Sequence, residues 1–94
     1  MTMKLQAEYQ NIVENLYLTD DDLYKYTLNC LLTNKYKKPI VGIAHDLKYA
    51  VMTPSEVCEW YDKYNCNDDH ITTLFKNVIK NEFPKTWKLL QQNQ

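Results

Sequence analysis

Cys58, Cys66 and His70 are the side chains whose types and spacing come nearest to a metal site. Cys66-x3-His70 is a spacing that occurs in zinc centres, where thiolate and imidazole share a tetrahedral shell. A fourth ligand would have to be Cys30, His45 or an Asp. No paired Cys-x2-Cys anchor exists, and Cys58 falls at the edge of an apolar face, where free cysteine packs as a small hydrophobe. The expectation is no metal and no cofactor. Asp20, Asp21 and Asp22, and again Asp68 and Asp69, suggest calcium only by composition. They lack the alternating ligands, turn glycine and closing Glu of the helix-loop-helix site, and read instead as helix caps.

Catalytic groupings are equally sparse. His45 and His70 each adjoin an Asp, but adjacent residues on a helix do not face one another. The single glycine, Gly42, excludes phosphate cradles, which need several. No Ser or Thr sits in a nucleophile-elbow context. The chain is therefore expected to act without catalysis.

Helices must position whatever function remains. Leu5, Tyr9, Ile12, Val13 and Leu16 form one stripe at helical period, predicting a first helix over residues 3–17. Thr19 is an N-cap with Asp22 at capping-box spacing, and the three Asp residues meet the positive end of the dipole. The second helix should reach residue 33, with Asn34 as its stop. Its apolar positions (Leu23, Tyr24, Tyr26, Leu28, Cys30, Leu31, Leu32) spread around about two-thirds of the circumference, taking ~100° per residue. Such a helix is either central or carries a second face for a partner.

Pro39 suits the first position of a third helix, and Ile40, Ile43, Ala44, Leu47, Ala50 and Val51 keep helical period. The β-branched run and Gly42 leave a strand over residues 40–51 as the alternative. On the helical reading Tyr49 points away from the core. Thr53-Pro54-Ser55-Glu56 combines an N-cap, Pro at the first position and a Glu three after the cap. Val57, Trp60, Tyr61 and Tyr64 follow on one face of a fourth helix. Asn67 caps a fifth, with the stripe Ile71, Leu74, Phe75, Val78 and Ile79. Pro84 ends or kinks it near Phe83, and residues 84–90 add a short last helix burying Trp87 and Leu90. The fold class expected is all-α, a compact orthogonal bundle of five to six short helices, in one domain over residues 1–94 with 91–94 as a frayed tail.

Composition narrows the classes further. All eleven basic side chains are Lys, and nine Asn and eight Tyr accompany one Gly. Lys, Asn and Tyr have A/T-rich codons, so an AT-rich genome such as a low-GC bacterium, its phage or its plasmid is expected. Three Cys cannot all pair, no apolar leader opens the chain, and no apolar run approaches a membrane span. A cytoplasmic protein without a membrane partner is the expectation. Charge falls in blocks: residues 1–22 have one Lys against five acids, 23–52 five Lys against one acid, 53–69 one Lys against five acids, and 70–94 four Lys against one acid. Such segregation serves either docking of segments within the chain or a bipolar surface that orients a partner.

Three function classes follow. The leading one is a protein-binding module, whose partner is a host protein or a second copy. Aromatic residues reach 13% of the chain, mostly Tyr, which suits interfaces. The contacts expected are Tyr24, Lys35, Tyr36, Lys37, Lys38, Lys48 and Tyr49, with Tyr36 and Tyr49 outside the core. A nucleic-acid partner is the second class. Residues 53–80 resemble in outline the helix-turn-helix of winged-helix regulators, in which the second helix enters the major groove. That resemblance implies a reading face of His70, Thr73, Lys76, Asn77 and Lys80. The absence of Arg removes the bidentate guanine fork, and a net charge of −1 gives little counterion release. A small structural or assembly subunit is the third class.

Overall fold

A computed structural model describes residues 6–93, and side chains from Glu8 onward. Six helices follow one another: α1 (Gln6–Glu14), α2 (Asp20–Leu32), α3 (Pro39–Val51), α4 (Pro54–Tyr64), α5 (Asp68–Glu82) and α6 (Pro84–Gln92). The described residues contain no strand, so the alternative for residues 40–51 resolves to helix. The fold is an all-α bundle.

Local chemistry sets most of the boundaries. Thr19, Thr53 and Asn67 each accept a bond from the amide three residues on, and Asp22, Glu56 and His70 return a bond to the cap's own amide. Asn34 and Asn65 take positive φ after α2 and α4, the left-handed turn that asparagine tolerates. Two boundaries differ from expectation. The first helix was expected over 3–17; residues 3–5 lie outside those described, and α1 already ends at Glu14. The Asn15 side-chain amide donates to the Asn11 carbonyl at 2.7 Å, capping the last turn, and after a final bond from the Leu16 amide to the Val13 carbonyl the chain leaves the helix. At the other end α6 continues through Gln91 and Gln92, and Gln94 lies outside the described residues.

The core belongs to α5. Ile71, Phe75, Val78 and Ile79 are fully buried, and α3, α6 and α1 pack around them with Ile43, Ala44, Leu47, Leu90 and Ile12. α2 packs chiefly on α6, and only lightly on α3. A groove opens at the seam between α2 and α3. α4 closes one side with Val57 and the half-buried Trp60, Tyr61 and Tyr64.

Candidate functional site

Two side-chain clusters and one groove stand out. Lys48 was expected on the surface, and the structure corrects this: its side chain has no exposed area. Its position on α3 is the edge of the apolar arc, one turn below Ala44, and α4 and α5 cover that edge. The ammonium group meets three acceptors, matching its three donors. Nζ lies 2.6 Å from Asp68 Oδ1 and 3.0 Å from His45 Nδ1, and 4.7 Å from the centroid of the Tyr49 ring. With Nδ1 accepting, the network places the His45 proton on Nε2, 3.7 Å from Asp68 Oδ2. The Tyr61 hydroxyl donates to Asp68 Oδ1 at 3.1 Å. The Lys48 bond holds the Asp68 carboxyl below its ordinary value, against the pull of its partial burial. Burial, then the Asp68 bond, push the Tyr61 phenol up to about 12. A nucleophile needs access to a substrate, and Lys48 has none. The cluster pins α3, α4 and α5 together.

The second cluster centres on Asp46. Tyr26 of α2 and Tyr36 of the α2–α3 connection both donate to Asp46 Oδ2, each at 2.6 Å, and Lys35 Nζ donates to the Tyr26 hydroxyl at 3.0 Å. Tyr36 is thus a second correction. It is half-buried rather than outside the core, and its ring lies against the bare Cα of Gly42. A β-carbon at Gly42 would come within 2.3 Å of the ring, so the absence of a side chain there admits the tyrosine. The Asp46 bond raises the Tyr26 phenol, and burial raises Tyr36 to about 12. Neither Tyr26 nor Asp46 was singled out from the sequence. One signal was available: Asp46 is the sole acid among residues 23–52.

Beside this cluster the α2–α3 seam opens into a groove of about 480 Å³. α2 contributes Asp22, Leu23 and Tyr26, one side of the helix at i, i+1 and i+4. α3 contributes Asp46, Leu47, Tyr49 and Ala50, and Leu18, just before the α2 cap, completes the lining. The groove continues past Leu18 and Ala50 to Leu16, Tyr17 and Val51. Tyr49 is 52% exposed, as its helix position predicts, and Tyr26 is 38% exposed. Their rings form the walls, and the hydrogen bond to Asp46 fixes the outer end of Tyr26.

The other expected contacts scatter. Tyr24 is half-buried beneath the Lys85 ammonium, 4.5 Å from its ring, at the α2–α6 junction. Lys35 is spent on the tyrosine cluster. Lys37 and Lys38 are exposed at the start of α3, where they flank Ile40 and Val41 together with Lys76. Of the reading-face residues, Thr73, Asn77 and Lys80 are exposed on α5. His70 is committed to the helix cap through its Nδ1, 2.9 Å from the Asn67 amide. Asp69 heads the same arc, and α1 lies alongside, its Tyr9 hydroxyl accepting from Asn81 at 2.9 Å. α5 is the central helix of the core, with Thr73, Asn77 and Lys80 on its exposed side.

The metal candidates are apart in function as well. Cys66 Sγ points to the Trp60 carbonyl at 3.3 Å, and burial raises its thiol. Among the described residues no three His, Cys, Asp or Glu side chains come together to hold a metal. No helix among them is long and apolar enough to cross a membrane. The charge blocks partly resolve into docking: Lys48–Asp68, and Lys85–Asp21 at 3.2 Å, each join a basic segment to an acidic one. Comparison with protein families, curated proteins and solved structures finds no match for this chain.

Proposed function

We propose that this protein works by binding another protein through the α2–α3 face, without catalysis. The observation that carries the reading is the aromatic-walled groove itself. Tyr26 and Tyr49 stand partly exposed on either side of an apolar floor of Leu18, Leu23, Leu47 and Ala50. Monomeric surfaces rarely leave large apolar side chains contiguous without a use for them. Tyrosine anchors of this kind bury wide area while each hydroxyl keeps a partner. A modulator of a host protein, encoded by a phage or another mobile element, is the form this role would take.

Affinity purification of the tagged chain from its native host, with nuclease treatment as a control, tests the reading. A specific protein should be recovered by the wild type and lost with Tyr49→Ala, whose circular dichroism should match the wild type although loss of the ring over Lys48 lowers its melting. Capture that disappears with nuclease, or that is indifferent to Tyr49→Ala, would overturn it.

A further inference from the structure

We infer that the occupant of the α2–α3 groove is a short apolar peptide segment carrying a Lys or Arg side chain, supplied by the partner. The inference rests on the protein-binding reading above and specifies its ligand. Asp22 and Asp46 both line the groove, one from each helix. Neither carboxylate has an ion-pair partner among the described residues. Asp46 takes both phenolic bonds on Oδ2, leaving Oδ1 without a donor. Asp22 is exposed, and among the described residues its carboxylate accepts one hydrogen bond, the long one, 3.5 Å, from the Thr19 amide.

Two open carboxylates bordering an apolar floor disfavour an acidic guest and favour one that brings its own cation. The groove also runs on toward Leu16 and Val51. Apolar anchors of the segment would lie along that surface, with its cation between the two carboxylates.

Selection of a displayed random peptide library on the intact protein tests the inference. Enriched sequences should pair apolar anchors with Lys or Arg, and their synthetic peptides should shift the amide resonances of Leu18, Leu23, Tyr26 and Tyr49. Asp22→Lys should weaken those peptides at least about tenfold, the loss expected for one charge-assisted bond, and should turn the selection toward acidic sequences. Asp22 also closes the α2 capping box, so Asp22→Lys should lower the melting temperature somewhat, and unchanged circular dichroism below the transition confirms that the fold is intact. Enrichment of acidic or uncharged peptides by the wild type would overturn the inference, as would shifts confined to Lys37, Lys38 and Lys76. Shifts of the groove resonances with protein concentration alone would also overturn it, by making a second copy the occupant. If no peptide is enriched while the host protein is still captured in a Tyr49-dependent way, the ligand chemistry is wrong and the binding role stands. Loss of both removes both.

Discussion

Lys48 and Asp68 form an ion pair with one sealed partner and one wet one: the lysine side chain has no exposed area, and the aspartate side chain keeps 46%. The two truncations should therefore be unequal. Asp68→Ala strands a buried ammonium and is expected to cost about 3–5 kcal/mol. Lys48→Met fills the same space with an apolar chain and leaves a carboxylate free to hydrate, so its cost should be nearer ~1 kcal/mol. Urea denaturation of the two variants measures the difference. Equal losses would mean that Lys48 reaches water.

Gly42 and Tyr36 should be coupled. Alanine normally gains about 1 kcal/mol over glycine in a helix interior. Here the new β-carbon would meet the tyrosine ring at 2.3 Å, so Gly42→Ala should destabilise the wild type and loosen Tyr36 from Asp46. In a Tyr36→Ala background the same change should be neutral or stabilising. A double-mutant cycle with additive effects would contradict this packing.

Asp20 caps a helix other than its own. Its carboxylate accepts from the Lys85 amide at 2.9 Å, the Thr86 amide at 3.1 Å and the Thr86 hydroxyl at 2.8 Å, serving the N-terminus of α6. Asp20→Ala should cost at least the ~1 kcal/mol of a lost cap, because two α6 amides lose their acceptor and the fully buried Thr86 hydroxyl keeps only the Asp20 carbonyl at 3.2 Å. Asp21→Ala removes only an exposed pair with Lys85 and should cost less. Thermal melts of the two variants would reverse in order if Asp20 served α2 alone.

Thr27 is fully buried, and its hydroxyl has no hydrogen-bond partner among the described residues. Thr27→Val keeps the shape and removes the unpaired group, so a gain of about 1 kcal/mol is expected. Chemical denaturation should move the midpoint upward; a loss would show that the hydroxyl has a partner.

Alkaline titration should separate the tyrosines. Tyr36 and Tyr61 are held neutral in the fold to about 12, while an unfolded tyrosine ionises near ~10. With the folded value raised, the stabilisation is complete below pH ~10 and is lost as pH climbs through about 12. Tyrosinate absorbance should therefore rise in two stages, with Tyr61→Phe diminishing the later one. Asp68 has the opposite sign. Its folded value is lowered, so its contribution is present above pH ~4 and fades as acid passes through the depressed value.

The helices were legible because their signals act within four residues. Thr19, Thr53 and Asn67 cap the helices they precede, Asn34 stops α2, and the Ile71-to-Ile79 stripe faces inward, since capping bonds and helical period are local properties of the chain. Where α1 ends was less legible, because the Leu16 position continues the apolar period although the Asn15 cap has already closed the helix. What a side chain at the margin of a stripe meets depends instead on which helices dock beside it. Lys48 and Tyr36 look like surface residues along the sequence; only the approach of α5 supplies Asp68 to one, and only the turn of the connection onto Gly42 buries the other. Asp20 reads as a first-turn acid until α6, 65 residues onward, presents its amides. The groove is of the same kind: it exists because α2 packs on α6 and α3 on α5, a pairing fixed by the whole core and written in no single segment.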